Sequence, residues 1–156
     1  MEKQSDCNDV QTITQLICEL TRVCSIKEHN FAESFNLSPT EFRMLKLFIY
    51  KDTYTVKELK EKLDLTSGRV THIVTSLESK KLLSRLINAK DKRNIIIKLM
   101  PKANVFIENL YKHYTEMHIE ILKSIDEVQF KDMKCSLSTL VKLFLEWEEK
   151  QKLYNK

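Results

Sequence analysis

Three helix starts follow one another between Ser38 and Arg69, and directly after them the apolar period changes from helical to strand-like. Ser38-Pro39-Thr40-Glu41 places a capping serine, a proline at the first helical position and a glutamate three residues after the cap. The helix it opens carries Phe42, Leu45 and Ile49 at helical spacing, with Leu47 and Phe48 widening the face. Thr55-Val56-Lys57-Glu58 is a second capping box, for a short helix through Leu63. Only Asp64 and Leu65 then intervene before Thr66-Ser67-Gly68-Arg69 opens a third helix, with Val70, Ile73, Val74 and Leu77 on one face. Two short helices this close must turn sharply on each other, which predicts a helix-turn-helix.

From Leu82 the reading is β. Leu82 to Ile87 and Asn94 to Leu99 are rich in branched apolar residues, and the second run puts Ile95, Ile97 and Leu99 on one face with Ile96 and Lys98 on the other. The polar stretch Asn88 to Arg93 joins them, so a hairpin with a basic tip is expected. A single glycine and two prolines in 156 residues leave too little turn chemistry for a sandwich or barrel. The fold class expected is mainly α with a small β-hairpin wing, a winged helix-turn-helix.

Long helices flank this middle third. From about Asn8 to Phe35, Val10, Ile13, Ile17, Leu20 and Cys24 form one stripe, widened by Leu16 and Val23. Pro101 breaks the second strand and opens a helix marked by Phe106, Leu110, Tyr114, Met117, Ile121 and Ile125. A last helix from about Asp126 carries Val128, Met133, Leu137, Leu140, Val141, Phe144 and Trp147. These helices are amphipathic and not basic, which suits packing over nucleic-acid contact. The organisation expected is an N-terminal helix over 1–37, a winged helix-turn-helix domain over 38–100 and C-terminal helices over 101–156.

Charge follows the same division. Residues 38–100 hold 14 Lys/Arg and 7 Asp/Glu, a net +7, whereas the rest of the chain, with 12 and 15, is net −3. A basic excess confined to one segment is the footprint of a surface facing phosphates. Met1 to Asp9 is polar, with no apolar core of a secretory signal, and no run approaches the ~20 apolar residues that span a bilayer. A cytoplasmic protein without a membrane partner is expected. Cys7, Cys18, Cys24 and Cys135 form no CxxC, and thiols are their default state in a reducing compartment. His113 and His118 lie on different helix faces, so neither they nor His29 and Glu116 suggest a metal site. No nucleophile–base pair or phosphate loop appears; no catalytic residue, metal or cofactor is expected.

With Val70, Ile73, Val74 and Leu77 turned inward, the third helix offers Thr66, Ser67, Gly68, Arg69, Thr71, His72, Thr75 and Ser76 to the outside. Small hydroxylated residues let a helix sink into the ~12 Å major groove and bond phosphates or base edges. Gly68 allows close backbone approach, the helix N-terminus attracts phosphate, and Arg69 suits bidentate contact with a guanine.

The run Leu63 to Thr71, then Leu77-Glu78, then Asp91-Lys92-Arg93 resembles the MarR/SarA family of bacterial transcription regulators. The resemblance departs from the family where Lys81 stands in place of a frequent glycine and where Leu99-Met100-Pro101-Lys102-Ala103 replaces a frequent Leu-Thr-x-x-Gly. Its D-x-R wing motif implies that Asp91 orients Arg93 into the minor groove, with Lys90 and Lys92 on phosphates and Arg85 as an additional basic contact. It also implies a homodimer, built from the first and last helices, on pseudo-palindromic double-stranded DNA, which makes 1–37 and 101–156 the dimerisation helices and 38–100 the DNA-binding domain. A small-molecule effector or oxidation of Cys18 or Cys24 is the switch it implies; the core-residue reading of Cys24 stands beside that one. A protein-interaction adaptor that has lost specific DNA binding is the alternative, and the basic wing tip argues against it.

Overall fold

The computed structural model describes residues 2–87 and 95–154, and for Glu2–Cys7 and Ile87 the backbone alone. In chain order these form α1 (Glu2–Ser34), α2 (Pro39–Leu47), β1 (Thr53–Thr55), α3 (Val56–Leu63), α4 (Ser67–Ser79), β2 (Leu83–Ile87), β3 (Ile95–Leu99), a single 3₁₀ turn (Pro101–Ala103), α5 (Asn104–Leu122) and α6 (Glu127–Tyr154). The chain divides into two compact units, one ending at Tyr114 and the other beginning at Thr115. No helix among the described residues is long and apolar enough to cross a membrane.

The helix starts written in the sequence are built as written. Ser38 caps α2, accepting from the Glu41 N–H while the Glu41 carboxylate accepts from the Ser38 N–H at 2.7 Å. Thr55 and Glu58 make the same reciprocal pair at α3, and Thr66 caps α4. The hairpin forms in the register Leu83 to Leu99 through Ile87 to Ile95. Ile97 and Leu99 are buried and Lys98 faces out, following the alternation in the sequence.

Four details differ from expectation. The first helix begins at Glu2, ahead of Asn8. Helix α2 stops at Leu47, leaving Ile49 in the following turn. A third strand exists: β1 pairs antiparallel with β3, Tyr54 opposite Ile97, giving the sheet order β1-β3-β2. The Leu99 N–H extends that pairing to the Asp52 carbonyl, and the buried Tyr54 hydroxyl donates to Leu47 O. On α5 the residues buried are Ile107 and Leu110, while Ile121, expected on the apolar face, is exposed.

The core of the first unit is made by Phe42, Met44 and Leu45 of α2, Leu59 of α3, Val70, Val74 and Leu77 of α4, and Leu83 and Ile97 of the sheet, all essentially inaccessible. Phe31 of α1 and Phe35 just after its end meet Phe42, Phe106 and Tyr114 in an aromatic cluster with centroids 5.2–5.9 Å apart. That cluster anchors the C-terminal end of α1. Its earlier turns carry Val10, Ile13, Leu16, Leu20, Val23 and Ile26 exposed. In the second unit no residue of α6 is buried. Its start is set by Asp126, whose carboxylate accepts from the Gln129 N–H at 2.8 Å.

Helix α4 ends on Lys81 in the left-handed region, φ 60°. The Leu82 N–H bonds Leu77 O and the Lys81 N–H bonds Glu78 O, the two bonds of a Schellman stop. A side chain here opposes the conformation the stop requires, and this is the position where the resemblance places glycine. Lys81→Gly is therefore expected to raise the unfolding free energy by about 0.5–1 kcal/mol, read from urea denaturation; an unchanged or lower midpoint would count against the account.

Candidate nucleic-acid interface

Helix α4 divides into two faces as its sequence requires. Val70, Ile73, Val74 and Leu77 are buried, while Ser67, Gly68, Arg69, Thr71 and His72 are exposed. Thr66, also exposed, accepts the Arg69 N–H through its hydroxyl at 3.3 Å. The first turn holds no carboxylate, so nothing in it competes for the partial positive charge of the helix N-terminus. Those donors and the small residues around them make a surface that accepts phosphate and base edges.

Among the described residues nothing gives Gly68 a structural reason. A Cβ built on it meets nothing within 4 Å, and its φ is not positive. Glycine inside a helix costs about 1 kcal/mol relative to alanine, so its cost here is offset by nothing internal. What a bare backbone offers at this spot is close approach by something outside the chain.

Three expected contact residues are engaged elsewhere. Ser76 is turned inward: its hydroxyl donates to Glu41 Oε1 at 2.7 Å, so it belongs to the packing of α4 and not to its outer face. Thr75 is exposed, but its hydroxyl donates to Thr71 O at 2.9 Å and accepts from Arg85 Nη2 at 2.6 Å. Arg85, on β2, also donates to Thr71 O at 3.0 Å and pairs with Glu78 at 3.1 Å, so its guanidinium is bound to α4. Lys90, Asp91, Lys92 and Arg93, the expected wing residues, lie outside the described residues.

The residues that aim α4 were not singled out from the sequence. Glu41 is 5% exposed and lies at the α2 cap, where it holds Ser76 of α4 and, at 2.9 Å, the ammonium of Lys80 just past the end of α4. Lys80 also donates to Asn36 O, in the turn that closes α1. Burial pushes the Glu41 carboxyl up, but the Ser38 amide, the Ser76 hydroxyl and Lys80 together outweigh it and hold the group below its ordinary value. The C-terminal end of α4 is thereby fixed to the α1–α2 turn by an ionised carboxylate. A glutamate three residues after a cap is a sequence signal for the box alone; the second duty depends on a contact 35 residues away.

Cys18, Cys24 and Cys135 are free and exposed, so Cys24 is not covered within the chain as its place on the α1 stripe had suggested. Among the described residues no three His, Cys, Asp or Glu side chains converge as a metal site. The His113 ring contacts Phe35, and His29 lies 4.0 Å from Glu33.

Residues 37–95 match the MarR family. The chain is 32% identical over 89 residues to YkoM, an HTH-type transcriptional regulator of Bacillus subtilis, covering 56% of this chain and 58% of that protein's length. Among solved structures it is similar to a MarR family protein from Bacillus stearothermophilus, with a TM-score of 0.77 at 18% identity, covering 88% of this chain and 96% of that one. It is also similar to MepR of S. aureus in a MepR–DNA complex, with a TM-score of 0.70 at 21% identity over 85% of this chain and 97% of that one. At these identities the two structures show the shared fold.

Proposed function

We propose that the chain, whose residues 37–95 match the MarR family, is a sequence-specific DNA-binding transcription regulator acting as a homodimer. One observation carries this reading: the outer face of α4 is polar and exposed, and a Cβ added at its Gly68 meets nothing among the described residues. Arg69 and His72 read the major groove beside Ser67, Gly68 and Thr71, and the basic wing residues Lys90, Lys92 and Arg93, with Asp91 orienting the last, take the adjoining minor groove. The uncovered apolar stripes of α1 and α6 support a second copy as partner. A symmetric pair sets two recognition helices about one helical turn (~34 Å) apart on a pseudo-palindrome.

An effector reading draws support from an open cleft of about 270 Å³ lined by Phe48, Ile49, Leu99, Ile107 and Tyr111 together with Asp52, Asn104 and Glu108. The exposed thiols of Cys18 and Cys24 are the redox counterpart.

Selection from a random duplex pool tests the proposal: a two-fold related pair of half-sites one turn apart is expected, and equal recovery of all sequences would refute it. Gly68→Ala sharpens the test, because the two readings of the glycine diverge. The variant is expected to unfold at the same or higher temperature while binding the selected duplex about tenfold more weakly, the equivalent of 1.4 kcal/mol. Undiminished binding would remove Gly68 from the interface.

A further inference from the structure

We propose that Arg85 is a positioning residue for DNA recognition, acting through Thr71 and Thr75 of α4 instead of touching phosphate. The proposal rests on the DNA-binding reading above and adds to it how the recognition helix is aimed.

The geometry is a two-point clamp. Arg85 lies on β2, opposite Ile97 of β3, in the strand that leads into the wing. Its Nη2 donates to Thr71 O at 3.0 Å and to Thr75 Oγ1 at 2.6 Å, two acceptors one helical turn apart on α4. One turn beyond Thr75, Glu78 is held twice by the same residue, Oε1 by the Arg85 backbone N–H at 3.0 Å and Oε2 by Nη1 at 3.1 Å. Strand and helix therefore share four polar contacts through one residue. Three of them come from the guanidinium, whose planar fork makes each specific in direction. The fork meets α4 from Thr71, between the exposed Arg69 and His72, to Glu78, so the angle at which those side chains leave the surface depends on it.

The charge is already matched. Glu78 neutralises Arg85 at contact distance, and the side chain is only 30% exposed. A phosphate approaching Arg85 would have to displace a carboxylate, a helix carbonyl and a hydroxyl. Free cations for phosphate lie elsewhere on this surface, with Arg69 at the helix start.

Contact and positioning predict different observables. A residue on phosphate releases about one counterion, so its removal lowers the slope of log K against log salt by roughly 0.9, weakens all duplexes alike, and is repaired by lysine. A positioning fork fails with lysine as with alanine, because a single ammonium cannot hold three acceptors on three residues in place. The experiment measures wild type, Arg85→Lys, Arg85→Ala and Glu78→Gln against a selected duplex and a scrambled one, over a salt series, with thermal unfolding of each. Both Arg85 variants are expected to lose about tenfold in discrimination between the duplexes with the salt slope unchanged. Glu78→Gln, which unmasks the arginine charge, is expected to lower discrimination too. Wild-type discrimination in Arg85→Lys, or tighter binding with a steeper slope in Glu78→Gln, would overturn the proposal and make Arg85 a phosphate ligand. Wild type that fails to prefer the selected duplex would instead bring down the regulator reading, and this proposal with it. Should Arg85→Ala unfold, the lysine and glutamine variants still decide, since both keep the side chain's length.

Discussion

On the proposed homodimer, Phe144→Glu is expected to give a monomer in sedimentation and to lower the affinity for a duplex with two half-sites by about 10²–10⁴-fold. Helix α6 runs for 28 residues without burying one of them. Leu140, Leu143, Phe144 and Trp147 line one open apolar hollow on it, and Phe130, Met133 and Leu137 line another with Leu122 of α5. Phe144 is 49% and Trp147 60% exposed. A helix gains most of its stability from tertiary packing of its apolar face, and no residue of α6 is buried. A patch of this kind marks an interaction site. Placing a carboxylate in its middle disrupts no contact within the core of the first unit, so Val70, Leu77 and their neighbours keep α4 intact. What the substitution removes is the second half-site. A single winged helix reads only a few base pairs, and linking two converts the second binding event into an intramolecular one. The variant should bind a duplex with one half-site about as well as wild type does. A dimer that persists with undiminished affinity would take α6 out of the dimer surface.

What could be read from the residues was what local chemistry decides. Ser38, Thr55 and Thr66 announced their helices because a cap and the residue three beyond it lie within one turn, and the structure forms all three caps. The wing strands were legible because Ile95, Ile97 and Leu99 alternate with polar or less buried neighbours. Strand β1 was not, since three residues show no period and Thr53–Thr55 become a strand only by pairing with β3, more than 40 positions away. The inward turn of Ser76 was hidden for the same reason: it stands one turn from Ile73 at the border of the buried stripe, and only Glu41 decides which way it faces. Arg85 counted as one more cation until its acceptors on α4 were in place. Lys81 shows the converse, because a departure from the family's glycine became intelligible once its positive φ was known. Composition and period locate elements; partners between elements assign side chains their work.

The second large effect is on stability. Glu41→Ala is expected to lower the unfolding free energy by about 2–3 kcal/mol, combining a lost cap of ~1 kcal/mol with broken charge-assisted bonds. Alanine leaves the Ser38 amide and the Ser76 hydroxyl without their acceptor at a site where no other buried side-chain atom among the described residues lacks a partner. The loss stays below the 3–5 kcal/mol typical of a stranded buried charge because Lys80, 31% exposed, keeps Asn36 O and reaches water. The pH dependence has a definite sign. Glu41 is held below the ordinary glutamate value of 4.5, so the native state favours the carboxylate. Its contribution is therefore complete above about pH 4.5 and declines as the pH falls through the lowered folded value. Glu58, held down to about 2 by Lys51 and by the Thr55 amide and hydroxyl, loses its own contribution between 4.5 and 2. Urea unfolding of wild type and Glu41→Ala should accordingly differ by a constant amount from pH 8 to pH 5, and the two curves should converge under acid while both still carry Glu58. A difference that persisted undiminished to pH 3 would mean that α4 is held by the shape of Glu41 and not by its charge.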